Sequence, residues 1–142
     1  MDAITAARRL RLWLRIWGVL FSLGVIDFLL LPVQTVKFLN ELGRTFGFTP
    51  ATSLEQTGFW VPLAAAYMVL ISAFCWDSQR ANKPIARPVR YLVLAKVASA
   101  SFALGWFFFA GLQFPMLAAG VIDAFIAAGT LWLLRDARPL LS

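Results

Sequence analysis

Residues 12–31 read LWLRIWGVLFSLGVIDFLLL, and Pro32 follows. The stretch is about the length that an α-helix needs to cross the hydrocarbon core of a bilayer. It carries two ionisable residues, Arg15 near its start and Asp27 near its end. The basic start at Arg8, Arg9, Arg11 and Arg15 imitates a secretory signal peptide. No small-x-small cleavage site follows, however, and the run closes on a proline. It therefore reads as an uncleaved first membrane helix.

Three further runs have the same character: about Leu54 to Trp76, Val89 to Ala110 and Pro115 to Leu134. The composition agrees. Hydrophobic residues make up 61% of the 142 residues and charged residues 14%, against about 45–50% and about 25% in soluble domains. The expected fold is all-α: one domain, an integral membrane four-helix bundle over residues 1–142.

Lysine and arginine placement sets the expected orientation. Arg8, Arg9, Arg11 and Arg15 flank the first helix, Arg80, Lys83, Arg87 and Arg90 fill the second connection, and Arg135 and Arg138 follow the fourth helix. The first connection has only Lys37 and Arg44, and the third has neither lysine nor arginine. Both termini are thus expected on the cytoplasmic side of a bacterial inner membrane. Aromatic residues fit the same scheme, with Trp13, Trp17, Trp76, Tyr91 and Trp132 near the cytoplasmic ends and Trp60, Trp106 and Phe114 near the outer ends. The net charge of +6 is divided among short clusters between apolar runs, which does not make the continuous basic face of a nucleic-acid-binding protein.

The first connection, Val33 to Ser53, has Val36, Leu39, Leu42 and Phe46 at helical spacing with polar residues between. That pattern predicts a short amphipathic helix over 33–46 on the outer interface. Gly47 and Thr49-Pro50 would end it. Ser53 with Gln56 would form a capping box for the second membrane helix, and Pro62 would kink that helix slightly. Asp77 to Pro88 reads as a cytoplasmic loop.

Three ionisable residues draw attention inside the spans: Asp27, Lys96 and Asp123. A charge at the centre of a membrane helix costs about 2.5–3.5 kcal/mol even on insertion scales. Asp27 and Asp123 each close the string Gly-Val-Ile-Asp, at 24–27 and 120–123. Counted from Pro32 and Pro115, both lie roughly 7–12 Å below the outer surface. They can be read as a carboxylate pair sharing a proton around a cavity, as separately hydrogen-bonded packing residues, or as contacts to a partner protein. Lys96, counted from Arg90, falls roughly a dozen ångströms from the aspartate layer. It is expected to extend toward the cytoplasmic interface rather than pair with either aspartate.

Small residues stand four apart at Ala95, Ser99 and Ala103 and at Gly120, Ala124 and Ala128. Such ridges are expected to pack helices closely, either within the chain or against another subunit. Asp123 would then face another helix, with Thr130 or a backbone carbonyl to satisfy it. The aromatic run Trp106 to Phe109 reads mainly as lipid-facing, with a quinone or pigment contact as the other reading.

The chain has no histidine and one cysteine, Cys75. Histidine-ligated metals, haems and histidine-based dyads within this chain are excluded, and phosphate loops and nucleophile motifs are missing. No enzyme activity, cofactor or nucleic-acid partner is expected.

Leu-Leu-Leu-Pro at 29–32, the outer connection Phe46-Gly47-Phe48-Thr49-Pro50, the second helix led by Trp60 and the N-in/C-in plan together resemble the small bacterial four-helix membrane proteins of the DoxX-like families. That resemblance implies an accessory membrane protein, in some cases associated with redox enzymes, without catalytic residues of its own. The expected function is therefore an accessory or assembly subunit of a larger membrane complex, in contact with lipid and with other subunits or itself. The alternative is a small oligomeric transporter or channel working through Asp27 and Asp123. A membrane anchor acting through the 77–90 loop is the third reading.

Overall fold

The computed structural model describes residues 3–50, 57–80 and 86–137. It is all-helical, with α1 at Ala3–Leu30, α2 at Pro32–Thr45, α3 at Thr57–Asp77, α4 at Ala86–Ala110 and α5 at Phe114–Ala137. Three of these, α1, α4 and α5, are long and apolar enough to cross a membrane, while α3 offers the shorter apolar stretch Val61–Asp77. The anticipated capping box at Ser53 and Gln56, the loop residues 81–85 and Arg138 lie outside the described residues.

The helix ends follow from local chemistry. α1 extends back to Ala3, beyond the apolar run, because alanine, leucine and arginine in this segment are good helix formers. It stops where Pro32 disfavours helical torsions at the residue before it. Leu31 accordingly sits at φ −130°, ψ 39°, and Pro32 opens α2, a position where its missing N–H costs nothing. α2 is amphipathic, as its spacing predicts. Between α4 and α5 the chain reverses through Gly111 at φ 116°, a torsion that favours glycine, and Leu112 at φ 52° completes the turn. Pro62 lies within α3.

The long helices pack antiparallel. Gly18 of α1 faces Cys75 and Trp76 of α3, and Gly24 faces Met68. Gly129 of α5 faces the Trp13 ring of α1, and Gly120 faces Leu104 of α4. These pairs bring the N-terminal end of α1 to the C-terminal ends of α3 and α5. The core lies toward that end, with Ala6, Leu10, Leu14, Ile71, Cys75, Val89, Leu92, Ile126, Leu133, Leu134 and Ala137 buried together. The opposite end is covered by α2 and the segment after it. Gly43 packs on Phe114, Phe46 stacks on Phe114, and Phe48 lies against Phe107 and Phe114. The Thr49 hydroxyl donates to the Gly111 carbonyl. Of the aromatic run, Phe107 is therefore buried under Phe48, while Trp106, Phe108 and Phe109 are exposed.

The buried positions of α5 divide the small-residue ridge between the chain's own core and its surface. They are Gly120, Asp123, Ile126, Ala127, Thr130, Leu133, Leu134 and Ala137, whereas Ala124 and Ala128 are exposed. A four-residue step turns about 40° beyond a full circle on an α-helix, so a strict four-residue stripe winds out of a helix–helix contact. Alternating steps of three and four, from 120 through 123, 127, 130, 134 and 137, stay in it. On α4, Ala95, Ser99 and Ala103 are all half-buried.

A Cβ at Gly120 would lie 2.7 Å from Leu104 Cγ. Gly120→Leu should therefore destabilise the α4–α5 hairpin by about 1–3 kcal/mol, seen as a lower unfolding midpoint in detergent. Ala124→Leu, four residues away on an exposed position, should leave the midpoint of the monomeric chain nearly unchanged.

Candidate functional site, a buried charge pair

Each long helix contributes one residue from its middle third to a single cluster: Phe21 from α1, Tyr67 from α3, Lys96 from α4 and Asp123 from α5. The Lys96 ammonium lies 2.6 Å from Asp123 Oδ1. Its nitrogen also stands 4.0 Å from the centre of the Phe21 ring and 4.9 Å from that of Tyr67. Lys96 is 1% exposed, and among the described residues it is the largest fully buried side chain. The pair is thus removed from solvent. A direct charge-assisted hydrogen bond and two ring faces with negative quadrupoles stand in for water around the cation. The Tyr67 hydroxyl donates to the Ala95 carbonyl at 3.1 Å, which holds the ring beside the base of the lysine.

This pairing overturns the expected separation of Lys96 from the aspartates. Heights counted from separate predicted helix ends, Arg90 for one residue and Pro115 for the other, carry the error of both ends. Counted from the common turn at Gly111 and Leu112, Lys96 lies fifteen residues back and Asp123 eleven residues on. The four-residue difference is about 6 Å of rise, which an extended lysine stem covers. Lys96 therefore points across to α5 rather than out to an interface. Thr130, one of the two partners expected for Asp123 beside a backbone carbonyl, accepts from the Trp13 indole N–H at 3.0 Å.

Asp27 belongs to a different place. The Thr35 hydroxyl lies 2.7 Å from Asp27 Oδ2 and 2.9 Å from the Leu31 carbonyl, and it donates to one of them at a time. The contact fastens the corner where α1 breaks and α2 begins. No hydrogen bond or ion pair among the described residues joins Asp27 to Asp123. The two carboxylates do not form the shared-proton pair that their similar depth suggested.

Aromatic residues extend the cluster toward the core. Trp13 meets Trp17 edge-on with centroids 5.6 Å apart, and Trp17 lies 6.0 Å from Phe21. Trp13 also meets Phe125 at 5.6 Å. The buried Trp17 indole N–H has no hydrogen-bond partner among the described residues. On the other side of α1, Ser22 donates to the Gly18 carbonyl at 2.7 Å and accepts from the Trp76 indole N–H at 3.3 Å. Among the described residues no group of three His, Cys, Asp or Glu converges as a metal site would require. Chemically, the site is an ion pair whose two charges neutralise each other inside an aromatic sleeve.

Phe21 and Tyr67 went unremarked in the sequence. A signal for Tyr67 was present, since a tyrosine in the middle of an apolar run needs a partner for its hydroxyl. No family model, curated protein or solved structure matches the chain. The resemblance to the DoxX-like families accordingly rests on the residues already quoted for it.

Removing one member of a buried pair strands the other charge. Lys96→Met and Asp123→Leu should each destabilise the chain by about 3–5 kcal/mol. The double substitution should cost clearly less than the sum of the two. A double-mutant cycle of unfolding midpoints in one detergent checks this; strict additivity would show that the two groups are not coupled.

Proposed function

We propose that this chain is a four-span accessory or assembly subunit of a larger complex in the bacterial inner membrane, without catalytic residues of its own. The observation that carries the reading is the internal use of its intramembrane charges. Asp123 is engaged by Lys96 at 2.6 Å, and Asp27 by Thr35 at 2.7 Å. Charges held this way fix how helices pack. A transporter built on Asp27 and Asp123 would need those carboxylates free for a substrate ion.

The surface supports the same reading. In the apolar part of α1 only 11% of the residues are buried within the chain. Leu12, Ile16, Leu20, Leu23, Ile26 and Leu30 all face outward. A helix with so little of its surface in its own core has a broad apolar side for lipid or for helices of another subunit. The resemblance to the DoxX-like families points to complexes that serve redox or electron-transfer machinery.

The proposed topology counts α3 as a span along with α1, α4 and α5, and it places both termini in the cytoplasm. The antiparallel packing supports this. It gathers Arg8, Arg9, Arg11 and Arg15 of α1, Arg87 and Arg90 of α4 and Arg135 of α5 at one end, as the positive-inside rule requires. The Gln79 amide donates to the Arg11 carbonyl at 3.1 Å at that same end. α2, with Lys37 and Arg44, lies at the other.

Purification of the tagged chain from its native membrane in mild detergent should recover stoichiometric larger subunits, identified by mass. A homogeneous homo-oligomer with nothing attached would instead favour the transporter reading. In that case Asp27→Asn or Asp123→Asn should abolish flux in proteoliposomes. Reporter fusions at the two termini should both report a cytoplasmic location.

A further inference from the structure

The N-terminal end of α1 carries a charge pattern that neither the core nor the Lys96 pair uses. Arg8, Arg11 and Arg15 follow one another at steps of three and four, so they share one face of the helix. All three are exposed. Among the described residues no ion pair or side-chain hydrogen bond engages their guanidinium groups. An open groove of about 580 Å³ runs along this face, and Ile4, Ala7, Arg8, Arg11, Leu12 and Arg15 line it. The groove therefore combines three unpaired cations, spaced over about 10 Å of helix rise, with apolar walls.

Farther along α1 the same face becomes wholly apolar, with Val19, Leu23, Ile26 and Leu30 exposed. Arg15 stands where the two regions meet, inside the apolar run that begins at Leu12. Its guanidinium can reach back toward the polar interface, the level at which lipid phosphates lie. Guanidinium groups bind phosphate oxygens through paired, directional hydrogen bonds.

We propose that this groove binds an anionic phospholipid of the cytoplasmic leaflet. Its phosphate sits among Arg8, Arg11 and Arg15, and one acyl chain runs along Leu12, Val19 and Ile26. Charge selects the headgroup and the apolar continuation selects a lipid over a free anion. The lipid in turn covers one side of α1 and holds that helix at a fixed depth. The inference rests on the membrane-spanning, N-in reading above. That reading is tested separately, by membrane fractionation and the N-terminal reporter in cells, before any lipid is removed.

The binding test uses the full chain, delipidated in mild detergent, with native mass spectrometry as the readout. Phosphatidylglycerol, phosphatidylcholine and inorganic phosphate are the probes. The unaltered chain should retain one phosphatidylglycerol with a preference of about tenfold or more over phosphatidylcholine, because each interfacial arginine adds appreciably to the attraction for anionic lipid. The combined variant Arg8→Gln, Arg11→Gln, Arg15→Gln should fall to the phosphatidylcholine level. Arg87→Gln with Arg90→Gln, which removes charge from the same end but not from the groove, should keep the preference. Equal retention of the two lipids, displacement of phosphatidylglycerol by inorganic phosphate, or undiminished retention by the triple variant would each overturn the proposal. The lipid comparison on the unaltered chain decides the matter even where the triple variant fails to fold.

Discussion

The contact between Lys96 and Asp123 is the constraint around which the helices are arranged. A lysine that is 1% exposed is tolerable only where its charge is met at once. Here the carboxylate stands 2.6 Å away, with the rings of Phe21 and Tyr67 beside it. The desolvation of two ions can equal or exceed their attraction, so the pair is better understood as fixing one arrangement than as adding net stability. Sliding α4 along α5 by a single turn, about 5.4 Å, would part the charges and leave both buried. The close approaches at Gly120, Gly129, Gly18 and Gly24 all belong to the arrangement in which the pair is closed.

The two ends of the molecule solve different problems. The end that holds the α1 N-terminus is filled by aliphatic side chains from all four long helices. Among the described residues the other end is closed by α2, whose aromatic followers Phe46 and Phe48 lie on Phe114 and Phe107. Asp27 serves this second end. By accepting from Thr35 it satisfies a carboxylate near the helix break that Pro32 imposes. The two aspartates carry the same four-letter string yet perform unrelated tasks, because one meets a lysine from a neighbouring helix and the other a threonine eight residues along its own chain.

Much of this was legible in the sequence. The apolar runs announced α1, α4 and α5. Pro32 marked the break after α1, and the amphipathic spacing after it foretold α2. The pairing of Lys96 was not read, because axial heights were taken from separate helix ends rather than from the shared turn at Gly111 and Leu112. The four-residue stripe on α5 precesses about the helix, so within the chain Gly120 is buried while Ala124 and Ala128 are exposed. Trp13 and Trp17, read as interfacial from their depth, are half-buried and turned toward one another, with Trp13 also meeting Phe125 of α5. Depth along a helix is available from sequence counting. Rotation about the axis needs the partners, and only the packed structure supplies them.

That distinction bears on what the chain does. An ionisable group serves a substrate when the protein leaves one of its bonds unmade. The three ionisable residues farthest from the span ends rich in arginine have theirs made, Lys96 with Asp123 and Asp27 with Thr35. Among the described residues, the unengaged groups are the buried Trp17 indole N–H and, on the surface, the guanidinium groups of Arg8, Arg11 and Arg15, the apolar side of α1, and the small residues Ala124 and Ala128 on the outer face of α5. Surface groups of these kinds are ones that lipid and neighbouring helices can engage. The intramembrane carboxylates and the lysine are spent on helix register, while the arginine cluster and the small-residue face of α5 point outward, which is the division of labour on which the accessory-subunit proposal rests.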